Sequence, residues 1–260
     1  MSLQSALHFL AKYKYFGIRK FYWIVVRKTE SLKQLLLDNQ GLFPRAHQSI
    51  IKRNISRSII QRFSGDEGQN INTTQFFLGF GLLHYSLVRN TRPKRILCVG
   101  SRKGYIPVLL ALACKDNNYG QVDFVDAGFD ESDTGKNWSG VGFWKKVDPQ
   151  DHFGHLGVES FITTHVMTTA AYARKNARKK YQYIYIDGDH SYEGAKLDYS
   201  LFWPPLEKGG FMSFHDVVAK GKLDGGTFGV GKLWQEIGRT HKKQLLFPFP
   251  KDSGLGLIQK

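Results

Sequence analysis

From Arg95 onward, short apolar runs end in glycine or an acid and give way to helical spacing, and the pattern then repeats. Strands are predicted at 95–99, 121–126, 161–163, 181–186 and 210–214, with helices at 105–114, 168–180, 191–202 and 230–240. A strand that returns parallel to its predecessor needs a crossover, and a helix is the usual one. The alternation therefore restricts the chain to an α/β fold: a Rossmann-like, doubly wound, mostly parallel seven-stranded sheet with helices on both faces. The last two strands, 244–247 and 254–258, read as a C-terminal antiparallel hairpin. Upstream, Asn72 followed by Gln75 has capping-box spacing, which predicts a helix over 73–89. The turn-rich stretch 64–68 divides a basic helical N-terminal extension, 1–63, from the α/β domain, 64–260. The segment 127–157, rich in Gly, Asp and Trp, reads as an insertion. It is expected to cover a substrate with Trp138, Phe143 and Trp144.

In such sheets ligands bind at the carboxyl ends of the strands, so those ends are where chemistry is expected. The first carries Gly100-Ser101-Arg102-Lys103-Gly104. Glycines there allow a sharp turn and a close backbone approach. The spacing is neither the G-x-G-x-x-G of a dinucleotide loop nor that of a Walker loop. The second strand ends at Asp126, 22 residues beyond Gly104. An acid at about that distance accepts hydrogen bonds from ribose hydroxyls, so the two features together point to an adenosine-type cofactor.

Two later ends are acidic and imidazole-rich. Tyr183-Ile184-Tyr185-Ile186 runs into Asp187-Gly188-Asp189-His190-Ser191-Tyr192-Glu193, and Phe211-Met212-Ser213-Phe214 runs into His215-Asp216. On adjacent strands Asp187, Asp189, His190, His215 and Asp216 would share one cleft. Carboxylates there suit a hard divalent cation, and a histidine suits general-base chemistry near neutral pH. Singly, each side chain could equally cap a helix or satisfy backbone groups.

The run from Ile186 to Glu193, with Asp198, Leu206, Gly209-Gly210, Phe214-His215-Asp216-Val217 and Gly229-Val230-Gly231-Lys232-Leu233-Trp234, resembles class I methyltransferases of the sugar and macrolide O-methyltransferase group. The resemblance spans about 72–260 and rests mainly on 183–234. It implies that Gly100, Ser101 and Gly104 line the methionine part of S-adenosylmethionine, that Asp126 holds its ribose, and that Thr73 or Thr74 reaches its carboxylate. Asp189 is grouped with these cofactor contacts. It further implies Mg²⁺ on Asp187 and Asp216, and catalysis by Asp187 with His190 or His215 as proton acceptor. The expected reaction is O-methylation of a hydroxyl on a sugar, glycan or related natural product. Three positions depart from the group: Cys98 replaces an acid, Arg102-Lys103 replaces small residues, and His215 replaces a carboxylate.

Charge adds an expectation about partners. The net charge is +15, and residues 1–63 hold twelve Lys and Arg against Glu30 and Asp38. Such asymmetry suits an anionic membrane, a nucleic acid or an acidic glycan, and equally a solvated basic face. Over 6–28 the basic residues interleave with aromatics, which fits a helix lying on anionic lipid as well as one packed on its own domain. No apolar run approaches the ~20 residues of a membrane span. Two cysteines outside any C-x-x-C pair, Cys98 and Cys114, suit a reducing compartment. A cytoplasmic enzyme, peripheral on the inner membrane face, is the expectation. The rivals are an RNA-directed methyltransferase, a non-catalytic membrane-associated protein that kept the fold, and a nicotinamide oxidoreductase, the last opposed by the glycine spacing.

Overall fold

The computed structural model describes residues 51–64, 67–130, 133, 142–223, 226–241, 243–249 and 253–260. The segment 6–28 and Trp138 lie outside the described residues. The compact unit runs from Arg53 to Lys260, so the extension drawn as 1–63 divides within itself. Its last part is the helix α1 (Arg53–Phe63), which buries Ser56, Ile59, Ile60 and Phe63 along one stripe.

The next helix is α2 (Gly79–Thr91). It starts later than capping-box spacing predicts. The Asn72 carboxamide oxygen does accept from the backbone N–H of Thr74 and Gln75, at 3.0 and 2.8 Å, but there it closes a turn bridged between Asn72 and Phe77. Asn and Asp serve turns by the same hydrogen bonds that cap helices, so the pattern could not tell the two apart.

The alternation then proceeds through β1 (Arg95–Val99), α3 (Tyr105–Asn117), β2 (Gln121–Asp126), α4 (Phe143–Lys146), α5 (Pro149–Gly154), β3 (Ile162–Val166), α6 (Thr169–Lys175), β4 (Tyr181–Ile186), α7 (Tyr192–Phe202) and β5 (Leu206–His215). After the short ribbon β6 (Lys222–Leu223) and β7 (Gly226–Thr227) come α8 (Val230–Thr240), β8 (Gln244–Phe247) and β9 (Leu255–Gln259). The sheet has seven strands in the order β3-β2-β1-β4-β5-β9-β8. The first five are parallel and the final pair antiparallel, as the sequence predicts.

The sheet reverses direction of winding at β1, which pairs with β2 on one side and β4 on the other. Ligands of open α/β sheets bind outside the carboxyl ends at such a switch point. Leu97, Val99, Ile184, Ile186, Met212 and Phe214 bury one face under α6, α7 and α8. α3 is buried continuously from Tyr105 to Cys114, because it is enclosed on nearly all sides. Cys98 and Cys114 are both free and buried.

The described part of 127–157 does not stand off as a free cover. Trp144 stacks on Phe153 at 5.6 Å, Phe153 stacks on Phe63 of α1 at 5.8 Å, and Trp144 meets Phe124 of β2 edge-on at 5.0 Å. Trp144 and Phe153 are buried, so these rings form a local core beside the glycine loop.

Candidate active site

Backbone hydrogen bonds bring the strand ends together. The Gly100 N–H donates to the Val125 carbonyl at 2.8 Å, and the Asp187 N–H donates to the Val99 carbonyl at 2.8 Å, so the turns after β1 and β4 lie against each other. Gly100 has φ +68°, and a β-carbon there would sit 2.1 Å from the Asp187 carbonyl oxygen. Gly104 has φ +89°, and its β-carbon would sit 3.1–3.2 Å from the rings of Phe153 and Trp144. At both glycines the close approach is made by the protein's own groups. The Ser101 hydroxyl accepts from the Ile106 N–H at 3.2 Å, which satisfies a donor in the first turn of α3. Arg102 is exposed on the rim of this loop.

Asp126 ends β2, and its carboxylate accepts from the Gly128 N–H at 2.8 Å. Burial lifts its pKa to about 6, against the hydrogen bonds from the Gly128 and Ser101 backbone. Val166 packs against Gly128, and both Val166 and Phe129 expose apolar surface.

The acidic and imidazole cluster converges. His190 Nε2 lies 3.5 Å from Asp187 Oδ1 and 3.4 Å from Asp216 Oδ2, while His215 Nδ1 lies 3.3 Å from Asp187 Oδ1 and 3.2 Å from Asp216 Oδ1. Asp216 leaves β5 in a left-handed conformation, φ +59°, which is uncommon for a residue with a side chain. The other Asp187 oxygen accepts from the Tyr185 hydroxyl at 2.9 Å and the Gln69 amide at 3.3 Å. Burial opposes ionisation of Asp187, but the charge and hydrogen bonds of His215 and His190 outweigh it and hold the carboxyl below its ordinary value. Burial likewise opposes the charge on His215 and His190, and the two carboxylates raise both.

The two histidines differ in what they have left to offer. His215 is fully buried, and its Nε2 donates to the Gly68 carbonyl at 3.0 Å, so its proton on that side is committed. Its Nδ1 faces the two carboxylates at ion-pair distance. His190 is partly exposed and stacks against Phe228, with ring centroids 5.4 Å apart.

Of the other predicted residues, Asp189 accepts from the Ser191 N–H at 2.9 Å at the start of α7, and Thr73 lies in the exposed 72–77 turn. The residues of the 67–69 segment that reach the cluster are Gly68 and Gln69. Nothing in the local sequence marks these two, because they belong to a turn more than 110 residues from the strands that they touch.

Three residues within reach of one point suit either of two tasks. Asp187, His190 and Asp216 each offer an atom within 4.8 Å of the others, close enough to hold a cation. An imidazole flanked by two carboxylates is also a base whose charged form is stabilised.

Residues 97–217 match a family model described as a methyltransferase domain. An O-methyltransferase from Bacillus cereus in complex with SAH has a similar structure: 14% identity, TM-score 0.55, covering 88% of this chain and 97% of that one. So does TomG from Streptomyces achromogenes, an O-methyltransferase involved in tomaymycin synthesis, in complex with SAM: 14% identity, TM-score 0.53, covering 86% of this chain and 95% of that one. At such identities the likeness is one of fold. No curated protein matches the sequence.

Proposed function

We propose that this chain, whose residues 97–217 match a methyltransferase domain, is a class I, S-adenosylmethionine-dependent O-methyltransferase, and we assign it an acceptor and a division of labour. The acceptor is a hydroxyl of a sugar, glycan or related natural product. The observation that carries this reading is the convergence of Asp187, His190 and Asp216 at two adjacent strand ends, beside the turn after β1.

The cofactor supplies a methyl group on a sulfonium, which an oxygen displaces in line. The chain must align that oxygen and take its proton. His190 is assigned as the proton acceptor because it is the more exposed of the two histidines. His215 is a positioning residue: held by the Gly68 carbonyl, it fixes both carboxylates, which in turn stabilise the charged form of His190. Asp126 is assigned to the ribose. The apolar surface of Phe129 and Val166 beside it suits the nucleoside base.

A second reading is favoured by the donor set itself. Asp187, His190 and Asp216 fit a divalent cation, which would orient the acceptor hydroxyl and lower its pKa. Two carboxylates with one imidazole suit Mn²⁺ or Zn²⁺ better than Mg²⁺, which prefers oxygen alone. Calorimetric titration of Mg²⁺ and Mn²⁺ into SAH-loaded protein separates the readings. Heat from Mn²⁺ that disappears in Asp216→Ala supports the metal, and no heat from either leaves His190 acting alone.

Asp126 gives the test of the cofactor site. Its carboxylate is ionised above about pH 6, and ribose binding needs the ionised form. SAH affinity should therefore fall as pH drops through about 6, and Asp126→Asn should bind weakly with no such dependence. Absence of SAH binding by the wild type at any pH would remove the assignment.

Among the described residues no helix is long and apolar enough to cross a membrane. We further propose a cytoplasmic location, with the basic segment 6–28 resting on an anionic membrane surface. The run of basic and aromatic residues supports it.

A further inference from the structure

The strand β8 closes one edge of the sheet and is poorly covered. Leu245 is 59% exposed, Leu246 47% and Phe249, just beyond the strand, 62%. Isolated exposed apolar residues are ordinary; three within five positions form a patch. Successive residues of a strand face opposite sides, so Leu245 and Leu246 can be buried together only by something that meets the strand edge-on.

The charge around the patch is positive on balance. Over 236–252 the chain carries Arg239, Lys242, Lys243 and Lys251 against Glu236 and Asp252, and both Arg239 and Lys243 are exposed. Two copies of the chain meeting at this edge would bring like net charge together. A layer of anionic headgroups would neutralise it while its acyl region received the three apolar side chains. The sheet register also fixes where the patch lies: His215 pairs with Leu255, which pairs with Phe247. The patch therefore extends to the end of the sheet that carries Asp187 and Asp216.

We propose that the β8 edge, through Leu245, Leu246, Phe249, Arg239 and Lys243, is a docking surface for an anionic lipid membrane. This surface is distinct from the segment 6–28 and independent of the reaction proposed above.

The test is co-sedimentation of the full chain with vesicles of phosphatidylcholine containing phosphatidylglycerol, against pure phosphatidylcholine. The wild type should bind only the anionic vesicles. The triple variant Leu245→Ser, Leu246→Ser, Phe249→Ser should bind them at least about tenfold more weakly, since three apolar side chains lose their burial. Lys243→Glu, which leaves the apolar patch intact, should weaken binding in the same direction. Calorimetric SAH titration of each variant reports separately on the cofactor site and should be unchanged. Three outcomes overturn the proposal: no binding of anionic vesicles by the wild type, variants that bind like the wild type, or a wild-type dimer that the triple variant converts to monomer without any lipid effect.

Discussion

Asp187→Asn should lower methyl transfer by roughly 10²–10⁴-fold while leaving SAH binding in place, because the lost charge serves proton transfer. The replacement keeps the size of the side chain and its contacts with Tyr185 and Gln69, but leaves His190 and His215 facing only Asp216. Removing one partner from a buried charge network costs stability, here on the order of 3 kcal/mol. The pH dependence identifies the network. The depressed pKa of Asp187 means that its contribution is present above the ordinary carboxylate value of 3.8 and is lost as pH falls through the lower, folded value. The raised pKa of His215 means that its contribution is full below the ordinary 6.5 and is lost as pH rises through the higher, folded value. Wild-type stability should therefore hold between these limits and decline on both sides, and the Asn variant should show a flatter profile. Denaturant titration from acid to alkaline pH measures this. Unchanged turnover in the variant would remove Asp187 from the mechanism.

Gly100→Ala should be severely damaging for a single added methyl group. Alanine at φ +68° carries a backbone penalty of about 1–2 kcal/mol. The larger cost comes from the 2.1 Å approach to the Asp187 carbonyl oxygen, which forces the turns after β1 and β4 apart. We expect a total near 4 kcal/mol, which lowers the melting temperature by roughly 10 °C in a domain of this size. Cofactor affinity and turnover should fall together, since the turn after β1 is expected to line the cofactor and the turn after β4 carries Asp187. Gly209→Ala is the control: φ is +84°, but no atom lies within 4 Å of its β-carbon. It should show the backbone penalty alone, with normal activity. Equal effects at the two glycines would mean that the contact with Asp187 has no special role.

Much of the candidate site was legible because strand ends are. An apolar run that stops at an acid marks a strand and its end. Thus the placement of Asp126, Asp187 and Asp216 at strand ends followed from local pattern, as did the sheet with its closing hairpin. Asn72 shows how a residue used locally can mislead. Asp189 and Ser101, expected to contact the cofactor, each also accept from a backbone N–H near the start of a helix. The Trp144 ring packs in a local core on Phe153, because an aromatic residue in a loop carries no sign of what will pack on it.

The sequence by itself determined the α/β alternation, the strand ends and the kinds of side chain placed there, because these follow from short-range periodicity and turn chemistry. Only the tertiary structure decided how the two histidines differ: His215 is fully buried, while His190 keeps some exposure. The Gly68 carbonyl commits His215 from 147 residues away in the chain, and β5 comes to lie beside β4 only after α7 has crossed over. Hydrogen-bond partners in a folded chain are set by nearness in space, and a one-dimensional pattern records only nearness in sequence.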